Sequence, residues 1–260
     1  MKAEICQTNI IWENKTENIK KAESIIKRSK SDIVIFPEMS FTGFSMNTGI
    51  TGEKDGYTLN AVREIALKYN KALGFGWVYK SEERAENRYT FVNGKGEILS
   101  DYSKIHPFSY SGEDKFFKGG DKISIFDFMG FKISSLICYD LRFPEVFQAA
   151  SKKADIIIVP ACWPKARAEH WKTLIKARAI ENMCYLIGVN CVGNVGGIEY
   201  SGDSCVVTPN GDVIEMISNK EKNIVVNIEN DVEKYRKAFP VKRDRREDLY
   251  IKLKNLSHVR

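Results

Sequence analysis

Asp32-Ile33-Val34-Ile35-Phe36-Pro37-Glu38 decides the fold. Successive side chains of a strand point to opposite faces. Four apolar residues in a row, with no polar alternation, therefore describe a strand covered on both sides, as in an α/β protein. Pro37 ends the run. Upstream, Glu4 to Thr8 reads as a strand, and Ile19, Ala22 and Ile26 recur at helical spacing among lysines and glutamates. Downstream, Val62, Ile65 and Ala66 mark one face of a helix from Leu59 to Tyr69, and Leu73 to Val78 is another strand. Asn93-Gly94-Lys95-Gly96 signals a hairpin. Ile123 to Phe128 and Phe131 to Ile137 pair around Met129-Gly130. A helix starts at Pro144, because proline suits the first helical position. Then come a strand at Ile156 to Val159, a helix from Ala166 to Asn182, and strands at Leu186 to Asn190, Cys205 to Thr208 and Ile224 to Ile228. Gly193 and Gly196-Gly197 read as a loop. Strands alternating with helices and mixed with hairpins predict a layered α/β fold with mixed sheets. Neither GxGxxG after a strand nor GxxxxGK[ST] occurs, so no nucleotide fingerprint is present.

The 260 residues, 43% of them hydrophobic, suffice for one large core. No run of about 18 apolar residues exists, and Met1 to Gln7 carries Lys2 and Glu4 instead of a secretory apolar region. A cytoplasmic protein is expected. The six cysteines form no CxxC pair and sit in apolar runs, which predicts reduced thiols. With only three histidines, no metal cage is expected. From Lys234 to Arg260 there are ten Lys/Arg and three Asp/Glu, a net of +7 out of a total of +6, which leaves the rest of the chain at −1. We divide the chain into a domain of residues 1–230 and a basic helix and tail, 231–260, that packs on the domain or on a partner subunit. Such a tail can bind nucleic acid, but no recognition motif accompanies it.

Three chemically capable residues sit at strand ends, where α/β folds place their sites. Glu38 follows the buried run. There it is either a partly desolvated base with a raised pKa or a solvated loop carboxylate. Cys138 stands at a sharp transition from Ser134-Ser135-Leu136-Ile137 into Pro144-Glu145, the geometry of a nucleophile elbow. A helix N-terminus there is expected to lower its thiol pKa. Cys162, after Ile156 to Ala161, is the rival nucleophile, crowded by Trp163-Pro164. Lys104 lies just past a strand, before a loop marked by Pro107, Gly112, Gly119 and Gly120 that holds Glu113. Arg142 is placed to grip a substrate carboxylate or to pair with Glu145. Phe41, Phe44 and Trp163 are candidate pocket walls.

Phe36-Pro37-Glu38, Lys104-Ile105-His106 and Cys138-Tyr139-Asp140-Leu141-Arg142-Phe143-Pro144-Glu145, in that order, resemble the nitrilase superfamily of carbon–nitrogen hydrolases. The likeness spans Ala3 to Ile228. His170-Trp171, Ala177 to Asn182, Tyr200 to Ser204 and Tyr235 to Pro240 resemble the omega-amidase branch, with Cys162 standing where asparagine is expected. The resemblance implies a four-layer α-β-β-α sandwich with two mixed sheets and a homodimer paired through helices, with the Ala166–Asn182 helix as candidate. It implies no cofactor. Glu38 would be the base, Cys138 the nucleophile that forms a thioester, and Lys104 with the Tyr139 backbone N–H the oxyanion holders. Glu113 would orient Lys104. His106 would be structural and His170 a helix-packing residue. The substrate implied is a small amide such as 2-oxoglutaramate. Deaminated-glutathione amidase, N-carbamoyl hydrolase and nitrilase activities remain alternatives, as does a silent binding module.

Overall fold

The computed structural model describes residues 1–256 and has two seven-stranded sheets. The first contains β1 (Lys2–Gln7), β2 (Ile33–Ile35), β3 (Gly52–Glu53), β4 (Ala72–Lys80), β5 (Ala85–Val92), β6 (Ile98–Ser103) and the late strand β14 (Lys222–Asn227). The second contains β7 (Ile125–Phe128), β8 (Phe131–Ser135), β9 (Ile156–Ala161), β10 (Tyr185–Asn190), β11 (Val192–Val195), β12 (Ile198–Val207) and β13 (Val213–Ser218). Both sheets are mixed. β1, β2 and β4 run parallel while β4, β5 and β6 are antiparallel. β8, β9 and β10 run parallel while β12 is antiparallel to β10.

The helices are α1 (Lys15–Arg28), α2 (Thr48–Thr51), α3 (Tyr57–Tyr69), α4 (Glu113–Phe116), α5 (Pro144–Ala150), α6 (Ala168–Asn182), α7 (Val232–Ala238) and α8 (Glu247–Leu256). The apolar stripes of α1 and α3 pack on the outer face of the first sheet, against Val34, Leu73 and Phe75. Ile33 and Ile35 point the other way, into the core between the sheets, with Ile5, Phe91, Ile133 and Phe126. The run at residues 33–36 is buried on both faces for this reason. Trp171, Ile175 and Ala179 of α6 and Phe147 of α5 close the second sheet, and all four are fully buried. The layers are helix, sheet, sheet, helix.

Two details depart from the sequence reading. Gly196-Gly197 is not an open loop but the two-residue tip of a β11–β12 hairpin, with Val195 paired to Ile198. Both glycines are left-handed (φ 58° and 81°), as a tight hairpin of this twist requires. The expected strand at Cys205 is the second half of the long β12, and β13 beside it was not expected. Of the basic segment, 257–260 lie outside the described residues. The rest uses part of its charge internally. Arg236 pairs with Asp155 at 3.2 Å and donates to the carbonyls of Ala154 and Met183, and Arg245 donates to the carbonyl of Glu181.

Candidate active site

The two sheets bring their strand ends together around a cavity of about 180 Å³ that opens beside Cys138. Glu38 arrives from the end of β2 through Pro37. Its position depends on Gly76 in β4, where a Cβ would collide with the backbone N of Met39 and lie 2.9 Å from the Glu38 carbonyl carbon. Met39 is itself left-handed (φ 42°). The carboxylate is fully buried and has three donors: the Lys104 ammonium at 2.9 Å, the Asn87 amide at 2.7 Å and the Cys162 backbone N–H at 2.8 Å.

Lys104 follows β6 and is 1% exposed. It donates to Glu38 and, at 2.8 Å, to Glu113 on α4. Burial opposes its charge, but the carboxylates of Glu113 and Glu38 outweigh it and hold the ammonium well above its ordinary range. Glu113 is also fully buried, with bonds from the Phe108 N–H at 2.5 Å and from Asn87 at 3.0 Å. One lysine between two carboxylates leaves a net negative cluster. Satisfied donors on each oxygen are what make that tolerable in a low-dielectric site.

Cys138 opens a 3₁₀ turn, Cys138–Arg142, with a left-handed backbone (φ 44°). For a residue with a Cβ this conformation is strained, and such strain persists where surroundings over-determine it. Asp140 supplies that determination. Its buried carboxylate accepts from the Ile137 N–H (2.8 Å), the Tyr102 hydroxyl (2.7 Å) and the His106 N–H (3.0 Å). His106 contacts Asp140 again through Nδ1 at 2.7 Å and stacks on Phe143 at 3.9 Å, so it braces the turn. The expectation of a lowered thiol pKa is overturned. Burial and the nearby Glu38 carboxylate push Cys138 well above the ordinary thiol range, against the opposing pull of Lys104. A single 3₁₀ turn supplies too little aligned dipole to offset desolvation.

Lys104, Cys138, Tyr139, Arg142, Phe44 and Trp163 all line the cavity. Arg142 lies over the Trp163 ring at 4.8 Å and contacts His170 Nδ1 at 3.2 Å. His170 is exposed, so it is not the packing residue expected from its place on the helix. Phe41 does not line this cavity. It is 3% exposed and packs between Phe36 and Phe75 beneath α1, because the chain turns at Met39. Cys162 does reach the cavity; its backbone N–H donates to the Glu38 carboxylate at 2.8 Å and its thiol to the Glu38 carbonyl at 3.3 Å. Sequence reading missed Asn87, which stands between Glu86 and Arg88 in β5 and carries no local signal that sets it apart. The Tyr139 N–H, at the start of the turn, has no backbone acceptor among the described residues and is an orphan donor beside Cys138. A thiol, a cation and a free donor at one small cavity, with a carboxylate behind the cation, are the parts needed for acyl transfer.

The family model for carbon-nitrogen hydrolases matches residues 2–237. A 2-oxoglutaramate amidase of Bacillus subtilis is 34% identical over 253 residues, which cover 94% of this chain and 97% of that protein. Omega-amidase YafV of Escherichia coli is 32% identical over 219 residues, 82% of this chain and 84% of its own. Among solved structures, a CN-hydrolase superfamily protein of Xanthomonas campestris with an arsenic adduct in its active site shares the fold with a TM-score of 0.88 at 28% identity, covering 94% of this chain and 97% of that one.

Proposed function

The chain belongs to the carbon–nitrogen hydrolase family, and from that premise we propose that it releases ammonia from the omega-amide of a small 2-oxo acid, such as 2-oxoglutaramate, through a thioester on Cys138. The observation that carries this reading is the meeting of Cys138, Lys104 and Arg142 on one metabolite-sized cavity, with Glu38 directly behind. The thiol keeps its proton at rest, so Glu38 removes it as sulfur attacks the amide carbon. The Lys104 ammonium and the Tyr139 N–H stabilise the oxyanion, and one such donor is worth about 3–4 kcal/mol. Glu38 returns the proton to the departing ammonia, then activates the water that opens the thioester. Glu113 and Asn87 hold Lys104 and Glu38 in place. Arg142, oriented by the face of Trp163, takes the substrate carboxylate, and Phe44 walls the pocket. The named activities of the Bacillus and Escherichia relatives support this substrate class.

The test is ammonia release from 2-oxoglutaramate, a nitrile and an N-carbamoyl amino acid. Preference for either of the last two overturns the substrate reading. Cys138→Ala abolishes turnover, whereas Cys162→Ala keeps most of it, because the Cys162 bond to the Glu38 carboxylate comes from the backbone. Mass spectrometry of the trapped acyl-enzyme should find the adduct on the Cys138 peptide.

The enzyme acts, in this reading, as a cytoplasmic homodimer. No helix among the described residues is long and apolar enough to cross a membrane. α8 leaves Leu249, Tyr250, Ile251 and Leu253 exposed, which suits a basic tail, 231–260, seated on a partner subunit. On α6, Trp171, Ile175 and Ala179 are committed to the parent sheet, and Ile180 is 44% exposed. Light scattering should give twice the 29.7 kDa chain mass; a fully active monomer refutes the dimer.

A further inference from the structure

Arg167 closes the 3₁₀ turn Lys165–Arg167 before α6 and lines the same cavity as Cys138 and Arg142. One tryptophan locates both arginines. The Trp163 ring carries the Arg142 guanidinium at 4.8 Å, and its indole N–H donates to the Arg167 carbonyl at 2.8 Å. The Arg167 guanidinium lies on a different wall, over Phe108 at 5.5 Å and Tyr110 at 5.4 Å. It makes ring contacts but no hydrogen bond or ion pair among the described residues. A guanidinium has five donors in a rigid fork suited to planar oxyanions. Around the cavity the charges are unbalanced. Lys104, Arg142 and Arg167 line it, and no Asp or Glu does. The Lys104 charge is already used by Glu38 and Glu113. Lys104 serves the amide end, and two guanidiniums are left to meet the remote end of the substrate.

We propose that Arg167 is a specificity-determining residue: with Arg142 it holds the carboxylate and the adjacent 2-oxo oxygen at the end of the substrate remote from the amide. This rests on the functional reading above. A 2-oxo carboxylate presents three nearly coplanar oxygen acceptors, more than one fork can satisfy, and a second fork on another wall completes the set. Binding energy gained there fixes the amide carbon against Cys138.

Arg167→Ala and Arg167→Lys are compared with wild type on 2-oxoglutaramate, glutaramate (the acid without the 2-oxo group) and pentanamide (neutral). For Arg167→Ala the ratio of kcat/KM for 2-oxoglutaramate to that for pentanamide should fall about 10–100-fold, through KM more than kcat. Arg167→Lys should recover part of the loss, since it restores charge but not the fork. The glutaramate ratio should fall less than the 2-oxoglutaramate ratio. An unchanged ratio, or equal loss on the acids and on pentanamide, assigns Arg167 to loop packing and overturns the proposal, while leaving the functional reading intact. A wild-type enzyme that cleaves glutaramate but not 2-oxoglutaramate overturns the 2-oxo part of both, and the glutaramate-to-pentanamide ratio then decides whether Arg167 reads the carboxylate.

Discussion

At the scale of single residues, the site couples a thiol that holds its proton to a carboxylate surrounded by donors. Cys138 is kept as a thiol by burial and by Glu38, so on the proposed roles the proton moves only when attack begins. Asn87 joins Lys104 in bridging the two carboxylates. It donates to Glu38 at 2.7 Å and to Glu113 at 3.0 Å from one nitrogen. Hydrogen bonds to charged groups contribute about 1.5–3 kcal/mol each. Asn87→Ala should therefore lower kcat about 10–100-fold, with KM little changed. In a Cys138→Ala background the same substitution should cost almost nothing more, because residues that act as a unit lose activity non-additively. Steady-state kinetics on the two single variants and the double variant check this. A rise in KM at constant kcat would instead place Asn87 in substrate binding.

At the scale of elements, the site depends on how closely β4 approaches the segment after β2. Gly76 is the point of approach, where any Cβ meets the backbone of Glu38 and Met39. Gly197, at the β11–β12 tip, has a left-handed backbone but open space around it. The two glycines separate two costs. Gly197→Ala should lose only the left-handed penalty, about 1–2 kcal/mol, with activity kept. Gly76→Ala must displace backbone, should cost about 3 kcal/mol or more, and should lower kcat by moving Glu38. Urea denaturation and ammonia-release assays on the pair measure both effects. Equal stability losses with full activity in each would show that β4 does not set the position of Glu38.

At the scale of the whole molecule, the large core makes the protein sensitive to alkali. Burial pushes the thiols of Cys6, Cys138, Cys184 and Cys205 up, the last two to about 12, and a hydrogen bond to Cys191 together with burial does the same for Cys162. The folded state thus keeps protons that the unfolded chain releases near pH ~8.5. The sign follows: this stabilisation is complete below that pH and is lost as pH rises towards the folded values. Each thiol contributes a slope of about 1.4 kcal/mol per pH unit. Five together can exhaust a stability of about 5–15 kcal/mol within one to three units. Tm should be level up to about pH 8 and fall steeply above 9. A Tm unchanged between about pH 8.5 and 10.5 would contradict it.

What the sequence determined by itself is whatever a local pattern encodes. The run at 33–36 required cover on both faces, the spacing of Ile19, Ala22 and Ile26 required an amphipathic helix, and the segment from Ser134 to Glu145 required a turn with Cys138 at its start. These follow from side-chain periodicity and turn chemistry over a few residues. Tertiary structure decided what depends on distance through the fold. Glu38 meets Asn87, 49 residues on, and the Cys162 N–H, 124 residues on, and no local pattern announces either. Phe41 left the pocket because Met39 turns the chain, and the thiol pKa of Cys138 rose because burial and a carboxylate from another strand outweigh one short turn. Arg167 came to line the same cavity as Arg142 through the turn at 165–167, whose Arg167 carbonyl accepts from the Trp163 indole. Each of these is a balance of solvation and charge, and that balance exists only once the two sheets have closed on each other.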